Sequence, residues 1–174
     1  MDILTNKLKR IKLLLLDVDG VLTDGSIIYD DKGSEIKVFN VKDGFGIRLL
    51  MDVGIDVGIV TGRASMALRH RLDNLGISLI FDGVRDKSSV IDLILEQQQV
   101  STEEIAFVGD DLFDIQLMKK VGISIAVKDA HKIVRENADM VTLNKGGAGA
   151  VREVCESILK ARGLWEKVLE RYCS

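Results

Sequence analysis

The sequence has no proline, so its turns must be built by glycine, of which there are 16, and by Asx residues. It has only two cysteines, Cys155 and Cys173, which form no CxxC pair, and two isolated histidines, His70 and His131. These shortages argue against a disulfide framework and against a Cys/His metal site. They also favour a reducing compartment, so we expect a cytoplasmic protein.

A basic excess is absent as well, because 24 Lys and Arg stand against 27 Asp and Glu, for a net charge of -3. A broad nucleic-acid surface normally needs such an excess, so no nucleic-acid partner is predicted. No run of about 18 apolar residues occurs, and residues 1–10 lack a signal-peptide pattern, so no membrane contact is predicted. The 174 residues, 47% hydrophobic and 29% charged, suit one globular domain.

Short apolar runs alternate with segments of helical periodicity, which predicts an α/β fold with a doubly wound parallel sheet. The predicted strands are residues 12–16, 57–60, 79–81, 105–108, 124–127 and 140–142. The predicted helices are residues 46–51, 64–75, 88–98, 112–120, 130–137 and 150–160. Ligands of such sheets gather at the carboxyl ends of the strands.

One segment, residues 23–40, interrupts the alternation. Residues 26–29 and 35–39 flank a turn-forming Asp-Asp-Lys-Gly cluster, which predicts a β-hairpin. Because the hairpin directly follows the first strand, we expect it beside the ligand-binding edge. Residues 1–162, hairpin included, are the predicted core, and residues 163–174 follow a helix stop as a C-terminal tail.

Two aspartates, Asp17 and Asp19, follow the first strand and precede Gly20. An isolated Asp-x-Asp-Gly is most often a simple turn. Read as a catalytic pair, Asp17 is a nucleophile at a strand end and Asp19 is a general acid and base, as phosphoryl transfer to water requires. The other strand ends decide between these interpretations.

The second strand ends in Thr61-Gly62-Arg63, and a lysine, Lys87, opens a later helix. Thr61 offers a hydroxyl donor and the following helix start offers N–H groups to an anion, although Thr61 could equally be an ordinary N-cap. A cation at a helix amino-terminus is unfavourable unless an anion lies beside it. A bound phosphate explains Lys87, and a solvated surface lysine is the alternative.

An acidic cluster directly follows another buried strand. Mg²⁺ prefers carboxylate oxygens, so we expect it to be held by Asp17, the backbone carbonyl of Asp19, and Asp110. Asp111 and Asp114 lie further along, where they would orient these ligands or the lysine. Asp114 is also explained as an acidic residue at a helix start.

In this order, the Asp-x-Asp, Thr-Gly-Arg, Lys and Gly-Asp-Asp-x-x-Asp motifs resemble those of the haloacid dehalogenase superfamily, whose phosphatases form an aspartyl-phosphate. Residues 19–25, 39–48 and 149–154 resemble, more finely, the 3-deoxy-D-manno-octulosonate 8-phosphate (KDO 8-phosphate) phosphatase family. That resemblance implies a Rossmann-like core without a large cap, Mg²⁺ as cofactor and a role in lipopolysaccharide biosynthesis. It also implies a homotetramer whose neighbours help to close each site.

The resemblance further implies which residues contact the sugar-acid phosphate. These substrate and phosphate contacts are Asp19, Asn40, Val41, Lys42, Asp43, Gly44, Arg48, Thr61, Gly62, Arg63, Arg71 and Lys87. Arginine suits both the phosphate and the carboxylate of such a substrate. The chain departs from the family at Ala148, where a basic residue is common, which leaves substrate affinity and selectivity open.

Two other functions remain as alternatives. A related branch of phosphatases acts on nine-carbon sugar-acid phosphates, although Arg63 favours the eight-carbon substrate. A signalling receiver domain also combines acidic residues, threonine and lysine, but its phosphorylated aspartate lies on a later strand. In the tail, Trp165 and Tyr172 either pack on the core or reach a neighbouring site.

Overall fold

The computed structural model describes residues 3–173. Met1 and Asp2 of the predicted core, and Ser174 of the predicted tail, lie outside the described residues. The central element is a parallel sheet of six strands in the order β5-β4-β1-β6-β7-β8. Its strands are β1 Leu13–Leu16, β4 Asp56–Val60, β5 Leu79–Phe81, β6 Ile105–Gly109, β7 Ile123–Ala126 and β8 Met140–Val141.

Strand β1 lies in the middle of this sheet and consists of four leucines, each 0% exposed. Leu13 pairs with Asp56 of β4 and with Ile105 of β6. A strand that is covered on both faces needs an unbroken apolar run, which is what the sequence provides here. The doubly wound parallel sheet predicted from the sequence is therefore confirmed, as are all six strands to within one or two residues.

Helices cover the sheet on both sides. They are α1 Ile3–Arg10, α2 Val41–Asp52, α3 Met66–Leu75, α4 Ile91–Gln98, α5 Ile115–Met118, α6 Lys132–Asn137, α7 Ala150–Ala161 and α8 Trp165–Cys173. Short 3-10 turns, at Lys87–Val90, Thr102–Glu104 and Leu112–Asp114, lie before α4, β6 and α5. The predicted helices at 88–98 and 112–120 are thus each split into a 3-10 turn and a shorter α-helix.

Helix α2 corrects the prediction of a helix at 46–51, since it begins five residues earlier. Asn40 caps it by accepting a hydrogen bond from the backbone N–H of Lys42. Gly44 and Gly46 are poor helix formers, which obscured the first turns in the sequence. Both glycines lie where a β-carbon would collide with neighbouring arginine side chains of α3 and α7, so they allow the helices to approach closely.

The hairpin forms a separate two-stranded antiparallel sheet of β2 Ile28–Tyr29 and β3 Glu35–Ile36. Its strands are shorter than predicted, and Gly33, with φ of 81°, occupies the turn between them. No large cap domain lies among residues 3–173, in agreement with the predicted fold class.

The C-terminal tail forms α8, which packs against α7 through Val168, 3% exposed. Tyr172 lies edge-on against Phe45 of α2, with the ring centroids 5.4 Å apart. Within this one chain, the tail therefore packs on the core. Among the described residues, no helix is long and apolar enough to cross a membrane.

Candidate active site

The candidate site lies where four neighbouring strands end. Asp17 follows β1, Thr61 follows β4, Asp110 follows β6, and Lys87 lies in the connection after β5. These strands are parallel and adjacent in the sheet, so their carboxyl ends share one edge. A cavity of about 580 Å³ opens at this edge. Its walls are formed by Asp17, Asp19, Gly25, Thr61, Gly62, Arg63, Val84, Arg85, Lys87, Asp110, Asp111, Phe113 and Asp114.

Lys87 joins two carboxylates inside the site. Its Nζ lies 2.8 Å from Oδ1 of Asp17 and 2.6 Å from Oδ1 of Asp114. Burial by itself would lower the pKa of Lys87, but the charges of Asp17 and Asp114 outweigh it and raise that pKa. The residue is 4% exposed, so the alternative of a solvated surface lysine is wrong.

Asp114 organises the loop that carries Asp110. Its Oδ2 accepts hydrogen bonds from the backbone N–H groups of Asp110, at 2.8 Å, and Asp111, at 3.1 Å. With Oδ1 paired to Lys87, both of its oxygens have partners. Asp111 caps the 3-10 turn by accepting from the N–H of Leu112. Asp114 therefore connects the acidic loop to the lysine, the arrangement that the sequence suggested.

Carboxylate oxygens of Asp17, Asp110 and Asp114 lie within 4.8 Å of one another, close enough to hold one metal ion. Burial raises the pKa of Asp110 to about 8, and the charges of Asp17 and Asp114 add to the effect. Burial likewise raises the pKa of Asp17 to about 6, although Lys87 opposes it. When all three carboxylates are ionised, they and the one ammonium group leave two negative charges unbalanced, which a divalent cation would neutralise.

The partners that each carboxylate already has within the protein indicate which of the three can bind a metal ion. Asp114 already uses both oxygens, whereas Asp110 forms no ion pair with any residue of the described chain. Gly20, with φ of 83°, has no side chain because the carboxylate of Asp110 occupies the place of its β-carbon. The donor set that fits Mg²⁺ is therefore Asp17 and Asp110, beside the backbone of the Asp17–Gly20 turn.

Thr61 lies on the cavity wall and is 2% exposed. Its backbone is fixed by two hydrogen bonds, from its own N–H to the Phe81 carbonyl and from the Val84 N–H to its carbonyl. Helix α3 is capped by Ser65, which accepts from the Leu68 N–H. The alternative that Thr61 is the N-cap of α3 is therefore wrong. Its hydroxyl oxygen lies at the cavity wall and accepts a hydrogen bond from the backbone N–H of Arg63, at 3.5 Å.

Asp19 is bound to the hairpin. Lys37 donates a hydrogen bond to its Oδ1, and Nε of Arg63 lies 3.5 Å from its Oδ2. Arg63 also donates to Oε1 of Glu35, at 3.0 Å, and to the hydroxyl of Tyr29, at 3.3 Å. The predicted position of the hairpin beside the site is thus observed, and charged groups attach it there.

Several predicted substrate contacts lie outside the cavity walls of this one chain. They are Asn40, Val41, Lys42, Asp43, Gly44, Arg48 and Arg71. Asp43 is buried and caps α7 by accepting from the backbone N–H of Arg152, at 2.8 Å. Arg71 donates to the carbonyl of Asn40, and Arg48 donates to the carbonyl of Leu75.

Several residues at or beside the cavity were not predicted from the sequence as site residues, Gly25 and Val84 of the walls among them. Lys37 and Glu35 bind Asp19 and Arg63, while Arg85 and Phe113 line the cavity walls. The alternating Glu-Ile-Lys-Val of residues 35–38 carried a signal for the first pair, because it sets two charges on one face of a strand. Arg85 and Phe113 lie in irregular segments, where no periodicity marks them.

The comparisons with known proteins agree with this geometry. A family model for haloacid dehalogenase-like hydrolases matches residues 80–154. The 3-deoxy-D-manno-octulosonate 8-phosphate phosphatase of Escherichia coli K12 is 46% identical over 157 residues, which cover 90% of this chain and 84% of that protein. The chain belongs to the KDO 8-phosphate phosphatase family. The resemblance predicted from the motifs is thereby confirmed.

Solved structures of this family share the fold closely. The phosphatase from Yersinia pestis is 45% identical, with a TM-score of 0.92 over 93% of this chain and 88% of that one. The phosphatase from Moraxella catarrhalis, solved in complex with a magnesium ion, a phosphate ion and a KDO molecule, is 39% identical. Its TM-score is 0.96, over 99% of each chain. The family fold thus extends over nearly the whole length of the chain.

Proposed function

We propose that this chain is a magnesium-dependent phosphatase that hydrolyses KDO 8-phosphate to KDO and phosphate, a step of lipopolysaccharide biosynthesis. One observation carries the proposal: buried Asp17 and Lys87 and half-buried Asp110 form a cluster at the ends of adjacent parallel strands, in a chain of this family. The Moraxella catarrhalis relative, solved with a magnesium ion, a phosphate ion and KDO, supports the choice of substrate and cofactor.

The proposed metal ligands are the carboxylates of Asp17 and Asp110 and the backbone carbonyl of Asp19. When bound, Mg²⁺ supplies positive charge that lets Asp17 stay ionised beside a second carboxylate and that balances the phosphate. The two unbalanced negative charges of the cluster support this assignment. Asp111 and Asp114 hold the loop and the lysine in position.

In the proposed reaction, a carboxylate oxygen of Asp17 attacks the phosphorus, and the bond from phosphorus to the sugar oxygen breaks. Thr61 and Lys87 bind the phosphoryl oxygens and offset their charge, with Gly62 allowing close approach. Asp19 gives its proton to the departing sugar oxygen. Asp19 then takes a proton from the water that attacks the aspartyl-phosphate, which releases phosphate and regenerates Asp17.

We further propose a homotetramer in which neighbouring copies complete the substrate site. The hairpin supports this because its apolar side chains Ile28, Ile36 and Val38 are 42%, 48% and 66% exposed. Contiguous exposed apolar groups of this kind mark protein–protein contacts. In that assembly the predicted contacts that lie outside this chain's own cavity act across the interface. They are Asn40, Val41, Lys42, Asp43, Gly44, Arg48 and Arg71.

The expected compartment and the choice of sugar acid belong to the same proposal. We propose a cytoplasmic location, where the enzyme would encounter KDO 8-phosphate. Both cysteines are free, as suits the reducing conditions of that compartment. Arg63 lies on the cavity wall and is proposed to favour the eight-carbon over a nine-carbon sugar acid. The mass of the protein in solution, measured by light scattering, tests the tetramer.

The deciding experiment measures phosphate release from KDO 8-phosphate, from a nine-carbon sugar-acid phosphate and from an aryl phosphate, each with Mg²⁺ and with a chelator. We expect a clear preference for KDO 8-phosphate that chelation abolishes. Asp17→Asn should abolish turnover without unfolding the protein, whereas Asp92→Asn, on the exposed face of α4, should leave it unchanged. Preference for the nine-carbon sugar-acid phosphate would make that compound the assigned substrate in place of KDO 8-phosphate. A long-lived phosphorylated protein without turnover would favour a receiver domain.

A further inference from the structure

Lys37 of the hairpin is a charged group to which the proposed reaction assigns no role. Along Glu35–Ile36 of β3 and the two residues that follow it, the exposure of the side chains alternates. The Lys37 side chain is only 2% exposed, whereas Ile36 and Val38 on the other face are 48% and 66% exposed. The hairpin therefore turns its charges towards the site and its apolar side chains outward.

The ammonium group of Lys37 is held between two carboxylates. It donates to Oδ1 of Asp19 and lies 3.1 Å from Oε1 of Glu35. A lysine removed from water at this point is unfavourable unless anions compensate it. Buried ion pairs of this kind are often no more stabilising than apolar residues of similar size. Stability alone thus gives little reason for a lysine here, and the contact with Asp19 gives a better one.

Asp19 needs such a restraint because it lies in the loop after β1, outside any helix or strand. A carboxyl group that exchanges protons with a leaving oxygen must be held in one direction, since catalytic geometry tolerates only small displacements. Lys37 holds Oδ1. The Nε of Arg63 is 3.5 Å from Oδ2, longer than a charge-assisted hydrogen bond, so Oδ2 stays available to the substrate.

We infer that Lys37 is a positioning residue for Asp19, which fixes Oδ1 so that Oδ2 faces the sugar oxygen and the attacking water. Lys37 does not belong to the cavity walls, so it acts through Asp19 and does not touch the substrate. The inference rests on the proposed role of Asp19 as proton donor. It makes the hairpin part of the proton-transfer machinery as well as a surface for assembly.

A series of aryl phosphates of similar shape, from phenyl phosphate to 4-nitrophenyl phosphate, tests this inference in the presence of Mg²⁺. Phenolate is a poor leaving group that needs a proton, and 4-nitrophenolate departs without one. We expect Lys37→Met to lower kcat/KM for phenyl phosphate about 10²-fold, as loss of a general acid does, and for 4-nitrophenyl phosphate by much less. Lys37→Arg should restore the wild-type dependence, and Lys32→Met, an exposed lysine of the same hairpin, should not change it.

The outcomes separate this inference from the proposal beneath it. An equal loss of kcat/KM across the series in Lys37→Met would mean a merely structural lysine and would overturn the inference. If kcat/KM of Asp19→Asn depends on the leaving group no more steeply than kcat/KM of the wild type, then the proposed role of Asp19 as proton donor is itself wrong. Circular dichroism checks the fold of each variant. If Lys37→Met does not fold, Lys37→Ala, which also lacks a donor to Asp19, gives the same comparison.

Discussion

Replacing Lys87 by methionine removes the ammonium group between Asp17 and Asp114. The Nζ lies 2.8 Å and 2.6 Å from their carboxylate oxygens. The side chains of Lys87, Asp17 and Asp114 are 5%, 10% and 1% exposed, respectively. The variant leaves two carboxylates with little access to water and no cation between them. Breaking a buried ion pair on one side costs about 3–5 kcal/mol of stability. For a domain of this size, that lowers the melting temperature by roughly 6–20 °C.

Lys12 offers a matched control for this experiment. Its Nζ lies 2.6 Å from Oε1 of Glu104, but its side chain is 58% exposed. Exposed ion pairs contribute only about 0–1 kcal/mol, so Lys12→Met should lower the melting temperature by less than about 4 °C. Both variants are measured by thermal denaturation in buffer with a chelator. Equal shifts for the two lysines would refute the argument from burial.

The loss of stability in Lys87→Met should also depend on pH. Burial raises the pKa of Asp17 to about 6, and Lys87 opposes that rise, so its removal raises the pKa further. A carboxyl group whose pKa is raised by folding is destabilising when ionised, and this penalty disappears as the pH falls through the raised pKa. The difference in melting temperature from the wild type should therefore narrow from about pH 8 to about pH 5. A constant difference would contradict the assigned cause.

Three further outcomes follow from the structure. Asp43→Ala should cost about 1–3 kcal/mol of unfolding free energy by uncapping α7, with a smaller loss for Asp43→Asn; a loss of activity with no loss of stability would instead favour a substrate contact. In a chelator, the wild type should lose stability as the pH rises from about 5 towards about 8, because burial raises the pKa values of Asp17 and Asp110 and each of them ionises at a cost. Mg²⁺ should stabilise the protein most at the upper end, and stability that rises between these pH values would exclude the cluster as the cause. Arg85→Ala should raise KM for KDO 8-phosphate about 3- to 10-fold, because this exposed arginine lines the cavity and has no described partner. An unchanged KM would mean that Arg85 does not contact the substrate.

Much of the site was predictable because its residues follow short, fully apolar strands. The run Leu13–Leu16 predicts a central buried strand, and Asp17 comes directly after it. Since parallel strands end at one edge of a sheet, residues that follow such strands, as Lys87 and Asp110 do, are expected at that same edge. These are local patterns repeated along the chain, which a single sequence displays.

Side-chain partners distant in the chain could not be predicted in this way. Asp43 reaches the first turn of α7, 109 positions away at Arg152, and becomes its cap. Arg48 bonds a carbonyl at the end of α3, and Lys37 reaches back to Asp19. Periodicity indicates which face of an element is apolar, but it does not say which other element a polar side chain will meet.

The sequence by itself determined the α/β class, the strands and the acidic and basic residues at their ends, because each depends on a few neighbouring residues. Only the tertiary structure decided that Lys37 restrains Asp19, that Asp114 uses both oxygens within the protein, and that Asp43 is a helix cap. Those contacts depend on the distances at which packed elements meet, which are set by the close approach of helices at Gly44 and Gly46 and by the position of the hairpin over the sheet edge.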